Sequence, residues 1–234
     1  SALDSGLEKF GIRLEEVQRE QFAKFFELVV DKNKDMNLTA ITEPQEFAVK
    51  HIIDSLSGYD EAIFPPHAKV VDVGTGGGFP GIPLKILRPD LEIFLLDSLK
   101  KRLNFLAEAS EKLGLKEVKC LHMRAEDAGR DTIHREVFDV AVSRAVSRLS
   151  VLVELCLPFV KINGFFIAWK GRAYEEELHE AQRAIRLLGG KFSALLPVNL
   201  PKLEDKRAII VIKKDAPTPK NYPRKAGVPL RKPL

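Results

Sequence analysis

Apolar residues recur at two different spacings along this chain, and the spacing changes near residue 62. Before that point they return every three or four positions, as on one face of a helix, with Phe22, Phe25 and Val29 as examples. A loop separates this stretch from a second helical stretch that begins near Pro44 and ends at Gly58. The pattern therefore predicts a largely helical N-terminal part.

From about residue 63 onward, short apolar runs alternate with amphipathic stretches. Six of the runs are predicted strands: AKVVDVG, LEIFLLD, EVKCLHM, EVFDVAVSRA, GFFIAWKG and RAIIVIKK. Four intervening stretches are predicted helices: GIPLKILRP, SLKKRLNFLAEASEKLGL, VSRLSVLVELCLPFVKING and AYEEELHEAQRAIRLLGG. Strands that alternate with helices predict an α/β fold, with a parallel sheet covered on both faces. In such sheets ligands bind at the carboxyl ends of the strands.

The same pattern divides the chain into three parts. We predict an N-terminal helical extension over residues 1–62 packed on the core, an α/β core over residues 63–214 and a basic C-terminal tail over residues 215–234. The net charge of the 234 residues is only +4, but residues 213–234 carry seven basic side chains and one acidic side chain. A basic tail of this kind is typical of proteins that bind a polyanion, and a merely solvated tail is the alternative.

Composition limits the class of protein further. Hydrophobic residues make up 45% of the chain and charged residues 30%, and we find no run of eighteen apolar residues, so no membrane span is expected. The polar N-terminus lacks the features of a signal peptide, which favours a cytoplasmic protein. Cys120 and Cys156 form no CxxC motif, so we expect two buried thiols, no disulfide and no metal site.

The stretch VVDVGTGGGFPGIPLKI, residues 70–86, places five glycines within eight positions directly after a predicted strand. A P-loop would need Lys followed by Ser or Thr after the last glycine, and none follows here. A nicotinamide-binding loop would need a third glycine at the position of Phe79. Asp72, two positions before Gly74, would disfavour a pyrophosphate and favour a cationic or zwitterionic ligand. The loop therefore favours a cofactor that is neither a nucleoside triphosphate nor a nicotinamide dinucleotide.

Acidic residues follow the next two predicted strands as well. Asp97 ends the strand EIFLLD, where a carboxylate can accept hydrogen bonds from both hydroxyls of a ribose. The segment MRAED, residues 123–127, follows the next strand, where a backbone amide and an acid could contact an adenine edge. Taken singly, each acid is better explained as a helix N-cap or a turn residue. Together they describe a pocket for adenosine bearing a positive charge, which S-adenosylmethionine fits.

Several motifs in fixed order resemble one known family. They are NLTAI, HIIDSL, DVGTGGGFPGIPLKI, DSLKKRLNFL, RAED, SRAV, WKG and PKNYPRKAGVPLRKPL. In this order they resemble the bacterial small-subunit rRNA guanine-N7 methyltransferase family, also called RsmG or glucose-inhibited division protein B. The resemblance runs from about Asn37 to the last residue. Arg172 stands where many relatives have a glycine, a small departure that affects no residue named below.

The resemblance implies a class I, Rossmann-like methyltransferase fold with a mostly parallel seven-stranded sheet whose last strand is antiparallel. It implies S-adenosylmethionine as the cofactor and N7 of a specific guanine in 16S rRNA as the target. Its motifs place nine residues at the cofactor: Gly74, Gly76, Gly78 and Phe79 in the glycine loop, Asp97 and Ser98 by the ribose, Ala125 and Glu126 at the adenine, and Arg144 at the methionine end or the incoming RNA.

Basic and aromatic residues supply the expected RNA contacts. The predicted RNA-binding residues are Lys100, Lys101, Arg102, Lys170, Tyr222, Arg224 and Lys225. Cations that open a helix can position phosphates without reading sequence, and an aromatic ring beside a guanidinium suits an unstacked nucleotide. A solvated helix face and a tail packed on the sheet edge are the alternatives. The partner is then 16S rRNA or the small ribosomal subunit, and we expect a monomer.

The chemistry read from the residues agrees with this assignment. Guanine N7 carries a lone pair and no proton at neutral pH, so its methylation needs orientation and no general base. We accordingly assign no catalytic residue, and His51 is either a buried structural histidine or part of an active-site wall. Three alternatives stay open: a class I methyltransferase acting on a small molecule or protein, an NAD-dependent oxidoreductase, and an RNA-binding module without activity.

Overall fold

The computed structural model describes residues 1–144 and 146–234, and a seven-stranded sheet forms the centre of these residues. The strands are β1 (Lys69–Val73), β2 (Glu92–Asp97), β3 (Val118–His122), β4 (Phe138–Arg144), β5 (Val160–Lys170), β6 (Gly190–Val198) and β7 (Arg207–Lys214). Their order is β3-β2-β1-β4-β5-β7-β6. β7 runs antiparallel to both β5 and β6, whereas the other pairings are parallel. The expected mostly parallel sheet with an antiparallel last strand is confirmed.

Helices surround this sheet in the described residues. They are α1 (Ala2–Glu8), α2 (Glu16–Lys32), α3 (Pro44–Phe47), a π-helical segment (Ala48–Ile53), α4 (Asp54–Leu56), α5 (Gly81–Leu87), α6 (Lys100–Lys112), α7 (Ala125–Arg130), α8 (Leu149–Cys156), a 3₁₀ turn (Leu157–Phe159), α9 (Tyr174–Leu187) and α10 (Val228–Arg231). The segments α3, π and α4 follow one another without a break, as the single helical pattern after Pro44 predicts.

Alternate residues of the central strands pack against different helices. Val70 and Ile93 share an apolar cluster with α2 and α5, whereas Val71 and Phe94 share one with α8 and α9. This alternation is the consequence of the two-residue period of a strand. Because both faces of the central strands β1, β2 and β4 are covered, these strands are mostly apolar, and their polar residues lie near the strand ends.

The N-terminal helices contribute to the same core. α2 buries Phe22, Phe25 and Val29 in the cluster that includes β1. Its Gln18 side chain also donates at 3.1 Å to the carbonyl oxygens of Ile86 and Leu87, at the end of α5. These hydrogen bonds satisfy carbonyls that a helix end leaves without intrahelical partners.

Three details differ from the expectations. The predicted helix over VSRLSVLVELCLPFVKING ends at Cys156, and residues 160–163 already belong to β5. β6 was missed although residues 194–198 (ALLPV) are apolar, because it is an edge strand with mostly exposed positions and a proline, unlike a strand buried on both faces. Cys156 is buried as expected, but Cys120 is exposed, because the sheet edge at β3 is only partly covered.

Candidate active site at the carboxyl ends of the strands

The glycine loop connects β1 to α5 in a backbone conformation that favours glycine. Gly74, Gly76 and Gly78 all have positive φ, at 71°, 56° and 99°. A Cβ atom on Gly78 would also lie 2.8 Å from Leu106 Cδ2, so a side chain has no room there. Around Gly76 nothing lies within 4 Å of such an atom. The loop therefore combines tight packing at its base with an open approach to its backbone.

Gly81 brings α5 close to the sheet. A Cβ atom on this residue would lie 2.6 Å from Leu95 Cδ2 and 2.8 Å from Asp72 Oδ2. Close packing of helix on strand is the task of the third glycine in a nicotinamide-binding loop, where this chain has Phe79. In this chain Gly81, two positions later, allows the close packing of helix on strand. The glycine loop is thus complete, but its geometry differs from that of the nicotinamide fingerprint.

Asp97 joins the end of β2 to the glycine loop. Its Oδ2 accepts a hydrogen bond of 2.9 Å from the Gly76 N–H, and its Oδ1 accepts one of 2.9 Å from the Leu99 N–H. The carboxylate is held in a fixed orientation and keeps further lone pairs. Ser98 follows on the exposed surface of the turn. A diol placed against Gly76 would meet this carboxylate.

Asp72 is fully buried beneath the loop. Its Oδ2 accepts hydrogen bonds from the Thr75 hydroxyl at 2.7 Å and the Gly81 N–H at 2.9 Å. Its Oδ1 is buried and has no hydrogen-bond partner among the described residues. Burial raises the pKa of Asp72 to about 7, although its two hydrogen bonds and the Arg144 charge oppose the rise. A buried carboxylate oxygen without a hydrogen-bond partner is uncommon in folded proteins.

Ala125 and Glu126 begin α7, directly after β3. The Glu126 side chain is mostly buried, and its Oε2 accepts a hydrogen bond of 2.7 Å from the Gly227 N–H of the C-terminal segment. One of the two carboxylate oxygens is therefore engaged by the chain itself. The predicted contact with an adenine falls to the backbone at Ala125 and Glu126 and to the other oxygen, Oε1.

His51 and Arg144 lie next to the glycine loop, where both contact Phe79. The His51 ring stacks on Phe79 with 4.3 Å between ring centroids, and the Arg144 guanidinium lies 5.1 Å from the same ring. Arg144 Nη2 donates to His51 Nδ1 at 2.9 Å, so the proton of the neutral imidazole is on Nε2, which is 2.7 Å from Thr39 Oγ1. Burial and the charges of Arg144 and Lys50 lower the pKa of His51 to about 3.

A cavity of about 410 Å³ opens beside this pair, at the end of β4 and β5. Asp54 lies in its wall and binds two arginines: Arg144 Nη1 at 3.0 Å from Oδ2 and Arg207 Nη1 at 3.2 Å from Oδ1. Arg207 Nε is buried and has no hydrogen-bond partner in the described part of the chain. Arg172 and Lys206 also line the cavity with exposed side chains. The cavity has an excess of positive charge.

A second cavity, of about 480 Å³, lies next to Asp97. The predicted RNA-binding residues Lys100, Lys101 and Arg102 line it together with Met36 and Asn37. Lys100 and Lys101 are exposed and Arg102 is half-buried, with its Nη1 atom 3.9 Å from Asp97 Oδ2. These cations remain available to solvent at the edge of the proposed ribose position.

The structure gives Lys170 a different place. The Lys170 ammonium donates to the Ser147 carbonyl oxygen at 2.7 Å and lies 2.9 Å from Glu177 Oε1, and both charged side chains are more than nine-tenths buried. An ammonium in this position is directed into the fold and is not free to contact RNA. The positive charge of Lys170 led to the prediction of an RNA contact, but its partner in the structure is Glu177, seven positions later on α9.

The C-terminal segment also differs from a free arm. Arg224, predicted to contact RNA, binds the fully buried Glu154 through two hydrogen bonds, Nε to Oε1 at 2.9 Å and Nη2 to Oε2 at 2.7 Å. Tyr222 is half-buried, and its carbonyl oxygen accepts a hydrogen bond of 2.7 Å from Arg135. Lys225 is exposed. The guanidinium of Arg224 is thus committed to the protein, whereas Lys225 keeps the predicted access to RNA.

Four residues of this site were missing from the sequence-based prediction. They are Thr39, Asp54, Gly81 and Arg207. Asp54 follows His51 in the motif HIID, so a helical turn places both on one face, and this spacing could have indicated a shared site. Nothing local in the sequence indicates that Arg207 reaches the same carboxylate.

Two further observations limit the chemistry. Among the described residues, no three His, Cys, Asp or Glu side chains are grouped as metal ligands. No helix in this part of the chain has the length and hydropathy needed to cross a lipid bilayer.

The strand order and the glycine loop at the end of β1 together define a class I, Rossmann-like methyltransferase fold. Among solved structures, Pyrococcus horikoshii TYW2 in complex with MeSAdo is similar, with a TM-score of 0.51 and 14% identity over 64% of this chain and 58% of that chain. This likeness concerns the fold alone.

The sequence comparisons identify the particular family. A family model described as rRNA small subunit methyltransferase G (GidB) matches residues 18–208. Ribosomal RNA small subunit methyltransferase G of Desulforamulus reducens is 50% identical over 94% of this chain and 92% of its own length. The protein of the same name from Alkaliphilus metalliredigens is 46% identical over 99% and 97%. The chain belongs to the rRNA small subunit methyltransferase G family.

Proposed function

We propose that this protein transfers the methyl group of S-adenosylmethionine to N7 of a guanine in 16S rRNA. Family membership supports methyl transfer to small-subunit rRNA. The observation that carries the proposal for the cofactor is the pair of carboxylates at the open glycine loop, Asp72 fixed beneath it and Asp97 fixed at Gly76. S-adenosylmethionine supplies the methyl group and a sulfonium leaving group.

The residues present fit this cofactor. The unpartnered Oδ1 of Asp72 suits a positively charged amino group, and no phosphate would be stable beside it. Asp97 is oriented by Gly76 and Leu99 to accept from ribose hydroxyls. The backbone at Ala125 offers an edge for the adenine. Together these groups match an adenosine derivative that carries a zwitterionic amino acid, both at its amino-acid end and at its adenine end.

The acceptor nucleotide fits the cavity on the other side of Phe79. Its wall carries Arg144 and Arg207, and the buried Nε of Arg207 lacks an acceptor in the described residues. A phosphodiester oxygen is an acceptor that the partly exposed guanidinium of Arg207 could bind from the cavity. Arg144 contacts Phe79 and also lines the cavity, which supports placing the two halves of the site next to each other. The target base would then enter from the cavity toward the glycine loop.

The protonation states favour N7 over an atom that must first lose a proton. Both ring nitrogens of His51 are engaged, and its low pKa leaves it without a proton affinity useful for catalysis. Asp72 is fully buried under the loop. Guanine N7 needs neither as a base, because its lone pair is already free. The residues therefore bind, orient and exclude water.

Calorimetric titration tests the cofactor assignment. We expect the wild-type protein to bind S-adenosylmethionine with a dissociation constant on the order of micromolar and to show no binding of NAD. Asp97→Ala should weaken the binding about tenfold or more. Asp31→Ala, which removes an exposed acid of α2, is the matched control and should leave binding unchanged. Binding of NAD, or of neither ligand, would contradict the proposal.

A further inference from the structure

The C-terminal segment, residues 215–234, is fastened to the short helix α7 at both helix ends. At the first turn, the Gly227 N–H donates to Glu126 Oε2 at 2.7 Å. Near the last turn, Arg135 donates from one Nη1 atom to the carbonyl oxygens of Gly129 at 3.1 Å and Tyr222 at 2.7 Å. The segment thus bridges both ends of a helix that is only six residues long.

Arg135 also anchors the beginning of this segment. Its Nη2 donates to the carbonyl oxygens of Thr218 at 2.9 Å and Pro219 at 3.1 Å. Packing adds to these bonds, because a Cβ atom on Gly129 would lie 3.1 Å from the Pro223 ring. The Arg135 guanidinium therefore donates hydrogen bonds to carbonyl oxygens of both α7 and the C-terminal segment.

Glu154 of α8 makes the docking obligatory. This carboxylate is fully buried, and its described hydrogen bonds all come from Arg224, through N, Nε and Nη2 at 2.8, 2.9 and 2.7 Å. A buried charge without its partner is strongly unfavourable. The segment is consequently a permanent part of the fold on this face of the sheet.

We propose that the C-terminal segment is a positioning element for the adenine end of the cofactor site. It holds α7, and with it the backbone of Ala125 and Glu126, against the end of β3. A helix of six residues has little stability of its own, so its placement depends on contacts of this kind. This inference rests on the proposed function, because it assumes that the adenine lies against Ala125.

The test measures the affinity of the full-length protein for S-adenosylhomocysteine by calorimetry, well below each variant's melting temperature. Arg135→Gln removes the hydrogen bond to Gly129, and the double change Glu154→Gln with Arg224→Gln removes the buried carboxylate charge together with the charge of its partly exposed partner. We expect the dissociation constant to rise about tenfold in each, within the range of couplings between sites. Arg231→Gln removes one exposed charge of the same segment and should stay within twofold of wild type.

A second readout separates positioning from general stability and from RNA binding. Hydrogen exchange at the amides of residues 125–130 should be faster in Arg135→Gln, whereas the KM for rRNA at saturating cofactor should not change. Arg135→Lys keeps the positive charge but lacks the planar guanidinium with its several N–H donors. It should show an affinity for S-adenosylhomocysteine between those of wild type and Arg135→Gln. It also serves as the milder variant if the double change prevents folding.

Two outcomes would overturn the inference. One is a dissociation constant within twofold of wild type in folded Arg135→Gln and Arg135→Lys. The other is a rise confined to the KM for rRNA, which would make the segment an RNA arm. If wild-type protein does not bind S-adenosylhomocysteine, the proposed function itself fails, and this inference fails with it.

Discussion

Replacing Asp72 with asparagine should make the free protein more stable at neutral pH while it abolishes cofactor binding. The aspartate is fully buried, and one of its oxygens has no partner in the described residues. Asparagine has almost the same shape, and its carbonyl oxygen can still accept from Thr75 and Gly81. The variant therefore removes the charge and keeps the two hydrogen bonds.

The pH dependence of the effect follows from the raised pKa. In the unfolded chain Asp72 ionises near its ordinary value of 3.8, whereas in the folded protein burial holds its pKa at about 7. Between these values the unfolded state has released the proton and the folded state has kept it, so the free energy of unfolding falls as pH rises. The difference of about three units between the two pKa values corresponds to a loss of about 4 kcal/mol in the free energy of unfolding. Above pH 7 this loss no longer changes with pH.

Urea denaturation of wild-type protein and Asp72→Asn at pH 4.5, 6 and 8 measures this difference. The free energy of unfolding of the variant, relative to wild type, should increase with pH and level off above pH 7. At pH 8 the variant should also show no calorimetric binding of S-adenosylmethionine. A stability difference that does not change with pH, or a variant that binds the cofactor normally, would refute the reasoning.

Other predictions concern packing and paired charges. Gly81→Ala should lower the free energy of unfolding by about 1–3 kcal/mol, because its Cβ has no space; thermal denaturation measures it. Lys170→Met should cost about 3–5 kcal/mol by leaving Glu177 buried and unpaired, and adding Glu177→Gln should restore most of it. His51 is neutral when folded, so wild-type stability should fall as pH drops below 6.5, and urea denaturation of His51→Asn should show a shallower fall.

Much of the fold was predictable because the central strands are covered on both faces. That environment requires continuous apolar runs, and such runs are visible in the sequence. The same logic located Asp72 and Asp97, since polar residues directly after a buried strand lie at one edge of the sheet. β6 was not predicted because it is an edge strand: its apolar residues 194–198 include Pro197, and most of its positions are exposed or half-buried.

The partners of charged residues were not predictable in the same way. Arg144 and Arg207 meet at Asp54 from positions 90 and 153 residues away, and no local spacing encodes that distance. Lys170 and Arg224 were assigned to RNA by the sign of their charge, but the fold places the carboxylates of Glu177 and Glu154 against them. A buried cation and a free cation are identical in sequence and are distinguished only by packing.

Mapping the methylated atom tests the central claim most directly. Small ribosomal subunits lacking the modification would be incubated with the protein and S-adenosylmethionine carrying a labelled methyl group. The 16S rRNA would then be reduced with borohydride and treated with aniline, which breaks the chain at 7-methylguanosine. We expect labelled 7-methylguanosine and a chain break at one guanine. A label on another atom or another RNA, or no transfer, would contradict it.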